Sequence, residues 1–119
     1  MAEVSPDAMR DRTKAFGLRI VKMYRALPRT PDAQVIGKQV LRSGTSIGAN
    51  YRAACSGRSR QEFVAKLGIV VEEADETIYW LEMLVDAGIV KARRMKDLLA
   101  EAHELTAIFT AAKNTSRRR

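Results

Sequence analysis

IGKQVLRSGTSIGANYRAAC, residues 36–55, decides the fold. Ala33, Ile36, Val40, Ser43, Ile47, Asn50 and Ala54 recur at alternating steps of three and four, which is one face of a helix. Gly37, Leu41, Gly44, Gly48, Tyr51 and Cys55 repeat the spacing one residue later and widen that face. Glycine costs about 1 kcal/mol per residue in a helix interior relative to alanine, so three glycines on one stripe require close packing in return. The spacing predicts a helix buried by more than one neighbour, with Gly44, Ile47, Gly48, Asn50 and Tyr51 as packing or subunit-contact positions.

The neighbours lie on either side in the chain. Ser5, Pro6 and Asp7 form a helix start, with a capping hydroxyl, proline at the first position and an acid favourable to the helix dipole. Met9, Thr13, Phe16, Ile20, Met23 and Leu27 then supply an inward stripe, and Leu27-Pro28 ends the helix. Thr30-Pro31-Asp32 repeats the same opening for the glycine-bearing helix, which Gly57 is expected to end in the left-handed conformation. Ser59 to Glu62 reads as a capping box ahead of Phe63, Leu67, Val70, Ala74, Thr77, Leu81 and Leu84. Gly88 is the expected stop.

A last helix, from about Lys91 to the region of Lys113, carries Met95, Leu98, Ala102, Leu105, Phe109 and Ala112 inward. Residues 114–119, with no apolar anchor, are expected to be a frayed basic tail beyond a bundle domain of residues 1–113. No β pattern competes. Four helices joined by short turns predict an all-α, antiparallel, up-down-up-down four-helix bundle.

At 119 residues the chain is long enough for a core without staples. Its lone cysteine, Cys55, reads as a small hydrophobe on the packed stripe. No run approaches the ~20 apolar residues of a membrane span, and no signal-like apolar core opens the chain. A cytoplasmic protein with no membrane partner is expected.

Net charge is +7, from 21 Lys and Arg against 14 Asp and Glu, and it is unevenly spread. Residues 1–58 carry 11 bases and 4 acids, residues 59–88 carry 2 and 7, and residues 89–119 carry 8 and 3. The basic surplus suits a polyanion. Arg12, Arg19, Lys22 and Arg29 on the first helix, Lys38 and Arg42 on the second, and Arg117, Arg118 and Arg119 in the tail are the candidate phosphate contacts to RNA or DNA. Such contacts carry no base-reading geometry.

Other chemistry is weakly supported. The single histidine, His103, has Ala100 three residues before it, so no di-iron Glu-x-x-His pattern exists. Gly44-Thr45-Ser46-Ile47-Gly48 lacks the Gly-Lys-Ser/Thr ending of a phosphate loop and is not preceded by a strand. Glu72, Glu73, Asp75 and Glu76 are expected to pair with Arg42, Arg52 or Lys66, within the bundle or across a subunit interface, rather than to catalyse. Tyr79 and Trp80 lack interleaved bases and read as core or subunit contact. No catalytic residue, metal or cofactor is expected.

RIVKMYRALP (residues 19–28), IGKQVLRSGTSIGANYRAA (36–54) and RSRQEFVAKLGIVVEEADETIYWLEML (58–84), in this order, resemble the four-helix bundle family first noticed in intervening sequences of 23S rRNA genes. The resemblance spans about three-quarters of the chain. It implies a non-enzymatic bundle that assembles as a homo-oligomer, a ring of five identical subunits. It also implies kinship with the accessory proteins of diversity-generating retroelements, where a basic pentamer binds nucleic acid and a reverse transcriptase. Many relatives place a glutamate where this chain has Ala53. The other reading is a protein-interaction scaffold without a nucleic-acid ligand.

Overall fold

A computed structural model describes residues 5–118. Four helices follow in order, α1 Pro6–Arg25, α2 Pro31–Cys55, α3 Arg60–Asp86 and α4 Ala92–Arg117, and the described residues contain no strand. Turns of a few residues oblige each helix to run antiparallel to the one before it. One end of the molecule brings together Pro6, Tyr51, Phe63 and Ser116, and the other brings Leu27 and Pro28 beside Ile89 and Val90. The bundle is 47 Å long and 26 by 21 Å across. α2 packs on α1 and α3, and α3 on α4, while α1 and α4 form the thinnest side.

The inward stripes follow the expected periodicity. Phe16, Ile20, Val40, Ile47, Leu67, Val70, Leu81, Leu84, Met95, Leu105 and Phe109 are all essentially without exposure. Met23, Ile36, Phe63 and Ala112 are only half-buried at the margins of that core. Polar groups inside are matched. The Ser43 and Thr77 hydroxyls lie 3.0 Å apart across the α2/α3 contact, and each also reaches a carbonyl of its own helix, Gln39 at 2.9 Å and Glu73 at 2.7 Å. Among the described residues no buried side-chain nitrogen or oxygen lacks a partner.

The glycine stripe of α2 is consumed within the chain. A Cβ on Gly37 would lie 2.5 Å from Leu27 Cδ1, one on Gly44 2.8 Å from Ile20 Cγ1, and one on Gly48 3.3 Å from Thr13 Oγ1 and 3.4 Å from its backbone. At Gly37 and Gly44 side chains of the first helical segment fill the space the glycines leave, and at Gly48 the α1 backbone itself comes close. Gly44 and Gly48 are therefore α1-packing positions. Ile47 is core, Tyr51 packs its ring 5.0 Å from that of Phe109, and the half-buried Asn50 amide donates to the Ser46 carbonyl at 2.9 Å.

Four boundary details differ from the sequence expectation. The Thr30 hydroxyl does not cap α2; Asp32 Oδ1 accepts from the Ala33 N–H at 2.9 Å instead. Gly57 is not left-handed, and Gly88, at φ 75°, is the only residue with positive φ among those described. Gly57 sits in a tight place, where a Cβ would lie 3.1 Å from the Ala54 carbonyl oxygen. In the capping box, Ser59 Oγ accepts from the Glu62 N–H at 3.1 Å, but Glu62 reaches back one residue further, to the Arg58 N–H at 2.7 Å. The fourth concerns the C-terminus, where residues 114–117 continue α4 and Arg118 is its C-cap, so the expected frayed tail is helical.

The glycine contacts differ in tightness, and a pair of substitutions separates them. Gly44→Ala should destabilise the protein by up to about 2 kcal/mol, because overpacking against buried Ile20 outweighs the helix gain. Gly17→Ala places its Cβ no nearer than 3.8 Å to anything and should stabilise by up to ~1 kcal/mol. Urea denaturation of both variants measures the contrast.

Candidate nucleic-acid interface

The nine cations expected to contact phosphate do not share a surface, and two of them are engaged inside the molecule. Arg12 spans the thin α1/α4 side. Its Nε and Nη2 donate to the two oxygens of Glu101 at 2.8 and 2.7 Å, and Nη2 lies 3.1 Å from Glu104. This fork-on-carboxylate geometry is the strongest form of side-chain pairing. The Arg12 hydrogen bond holds the Glu101 carboxyl below its ordinary range, with the charges of Arg12 and Arg19 assisting against partial burial. Arg42 closes the α2/α3 side with Glu73 at 3.4 Å and with Glu76, whose Oε2 also accepts from the Trp80 indole N–H at 3.0 Å. Of the bases expected to meet the α3 acids, Arg42 does so within the chain, and Arg52 and Lys66 form no such pair within it among the described residues.

The rest are dispersed. Arg19 and Lys38 are exposed mid-helix, and Lys22 and Arg29 lie at the α1–α2 turn. Arg117 and Arg118 are at the opposite end of a 47 Å molecule, Arg117 within 3.5 Å of Asn114 Oδ1, and Arg119 lies outside the described residues.

What the fold does gather is a basic end. The α1–α2 and α3–α4 turns meet around a depression of 340 Å³ lined by Met23, Leu27, Ile89, Val90, Lys91 and Arg94 among others. Lys22, Arg25 and Arg29 arrive from one turn, and Lys91, Arg93, Arg94 and Lys96 from the other. All seven are exposed, and none forms an ion pair among the described residues. Nearby acids are Asp32, Asp86 and Asp97. Asp32 is occupied with the start of α2, and its carboxyl is held low first by the Thr30 hydroxyl and then by the Ala33 N–H.

The α4 start is not built for its own stability. It has no acid in the first turn, and its N-cap, Lys91, offers no side-chain cap. Each cation near a helix N-terminus opposes the dipole at a cost of about 0.3–1 kcal/mol. Lys22 and Arg25, by contrast, complement the C-terminus of α1. Arg25, Lys91, Arg93, Arg94 and Lys96 are absent from the sequence-derived set. The run of four bases from 91 to 96 was the available signal, since it breaks the rule that first turns favour acids.

Elsewhere, Cys55 is half-buried at the end of α2. Burial, then the neighbouring Cys55 sulfur, pushes the Tyr51 phenol up to about 12. No helix among the described residues is long and apolar enough to cross a membrane. No group of three or more His, Cys, Asp and Glu among them could hold a metal ion.

An all-α bundle with a core of this pattern and one basic end defines a class, small four-helix bundle proteins. The family model of the 23S rRNA-intervening sequence protein matches residues 8–111, and the chain belongs to that family. A crystal structure from Bacteroides thetaiotaomicron, of a protein of unknown function in the S23 ribosomal protein family, is similar to it. That structure has a TM-score of 0.85 and 35% identity, over 92% of this chain and 97% of the other. Among curated proteins none matches.

The Arg12–Glu101 pair generates a pH prediction. The folded pKa of Glu101 lies below the unfolded value of about 4.3. Its contribution is therefore complete above that value and is lost as pH falls through the folded pKa. Glu101→Gln should cost about 1 kcal/mol at pH 7, and the gap from the unsubstituted protein should close on acidification. Denaturant midpoints measured from pH 7 to pH 3 test this.

Proposed function

We propose that the protein is a non-enzymatic, homo-oligomeric nucleic-acid-binding module that grips the phosphate backbone through its basic end. The observation that carries this reading is the cluster of seven exposed cations at that end, unpaired among the described residues, three of them (Lys91, Arg93 and Arg94) placed against the field of their own helix. Side chains held where they weaken local structure are best explained by an external ligand. Long, flexible lysine and arginine side chains on two turns can follow a phosphate backbone without reading bases, so binding is sequence-tolerant and depends on counterion release. Copies joined in one assembly present several basic ends to one strand and gain avidity. A ribonucleoprotein accessory role accords with this, as does membership of a family associated with ribosomal RNA intervening sequences.

The exposed apolar side chains Leu18, Val35, Ile69 and Tyr79 favour protein contacts as well, and a scaffold without nucleic acid is the second reading.

Fluorescence anisotropy with a structured RNA and a DNA duplex between 50 and 300 mM salt discriminates the readings. Binding should weaken steeply with salt. Replacing Arg29, Arg93 and Arg94 with alanine should flatten the logarithmic salt slope by about 2–3, at roughly 0.9 per duplex phosphate contact. Arg12→Ala should leave that slope unchanged, because its guanidinium is held by Glu101. Absence of binding at both salt limits leaves the scaffold reading.

A further inference from the structure

The depression at the basic end is apolar inside its ring of bases. Met23, Leu27 and Pro28 line it from one turn and Ile89 and Val90 from the other, and its charged lining residues are two bases, Lys91 and Arg94. Pro28 is exposed and Met23, Ile89 and Val90 are half-buried, so this apolar surface meets solvent. A grip on phosphates alone accounts for the bases and not for the hollow between them. At 340 Å³ the depression falls at the small end of ligand pockets, about 300–1,000 Å³.

The main-chain groups of its walls are already engaged. The Ile89 and Val90 N–H groups both donate to the Leu84 carbonyl, at 3.0 and 3.1 Å, where Gly88 at φ 75° turns the chain out of α3. The Leu27 N–H donates to the Tyr24 carbonyl at 3.1 Å, and the Pro28 carbonyl accepts from Gln34 Nε2 at 2.9 Å. An extended peptide laid here would find no backbone to pair with its own N–H and C=O groups. A flat group held by its faces needs none. The cations also stand on both sides of the depression, Lys22, Arg25 and Arg29 at the first turn and the four between Lys91 and Lys96 at the second. A nucleotide within a single strand carries a phosphate on each side of its base, which matches that arrangement.

From this apolar hollow between two sets of cations we infer that the depression seats one unpaired nucleobase of a single-stranded or looped nucleic acid. The inference rests on the nucleic-acid half of the proposed function and narrows its ligand. Methionine, leucine, isoleucine and proline are the side chains that press against unstacked bases, and the methionine sulfur makes favourable contacts with rings. The Arg94 guanidinium adds a second flat surface. Because the wall's main-chain groups are occupied, the seat takes a base by its faces and discriminates little among bases. A duplex must unpair and unstack a base to fill it, so paired nucleic acid is held through phosphates alone.

Fluorescence anisotropy on the full chain tests this with a labelled oligothymidylate of about ten nucleotides and an abasic strand of equal length and equal phosphate count. Oligothymidylate should bind about tenfold more tightly, with the same salt dependence. Ile89→Ser and Val90→Ser, each confirmed as folded by circular dichroism, should lower its affinity towards that of the abasic strand and leave the abasic strand unaffected. A peptide of aspartates around one leucine is the third probe. Equal affinity for the two strands overturns the base seat and leaves the phosphate grip standing, whereas no binding of either strand at low salt overturns both. A base preference that survives both substitutions puts the base elsewhere and overturns the seat. Tighter binding of the peptide than of oligothymidylate assigns the depression to an acidic protein segment and overturns it as well.

Discussion

The close approach of α1 to α2 is the constraint on which the other features depend. Gly37, Gly44 and Gly48 leave no room for side chains, and Leu27, Ile20 and Thr13 occupy that space. The glycines raise the cost of forming α2 as an isolated helix, and only burial against α1 offsets it. Helix and packing therefore form together. The same approach leaves the outer side of the pair shallow, so the groove lined by Gly17, Gly48 and Ala49 is a direct result of how the core was closed.

Charge is divided between two tasks that the chain's composition does not separate. Arg12 and Arg42 sit at the two helix contacts where a planar fork reaches carboxylates on the neighbouring helix. Arg12 matters most where the apolar contact is least, on the thin α1/α4 side. The bases of the two turns do the opposite. They are exposed, have no acid within pairing distance among the described residues, and at the start of α4 they oppose the helix dipole. Bases that close the bundle are therefore distinguishable from bases that burden it, and only the second kind is available to a ligand.

Helix positions and core residues were legible because periodicity is local. Each inward stripe could be read within a single helix, from Met9 to Leu27 or from Met95 to Phe109, and burial follows it. Cap signals were less dependable, since Ser59 and Gly88 act as their residue types suggest whereas Thr30 and Gly57 do not. The candidate site was mostly illegible. Arg12 and Glu101 are 89 residues apart, and whether they meet depends on the rotation and vertical offset of two helices. Sorting bases by stripe also concealed that the bases at the end of α1 and those at the start of α4 share one end of the molecule. The α4 extension to Arg117 was missed because polar residues without an apolar anchor still continue a helix already formed, propagation being far cheaper than nucleation.

A chain with a net charge of +7 repels its copies, and self-association must overcome that repulsion. At physiological salt, charges are screened over about 8 Å, so net charge acts weakly at a distance and local pattern decides a contact. Segregation of charge answers this. The α3 face holds acids without a base and the outer side of α1 and α2 carries Lys14 and Arg52, so opposite charges lie on different sides of the bundle, while seven exposed bases stand at the end where the two turns meet.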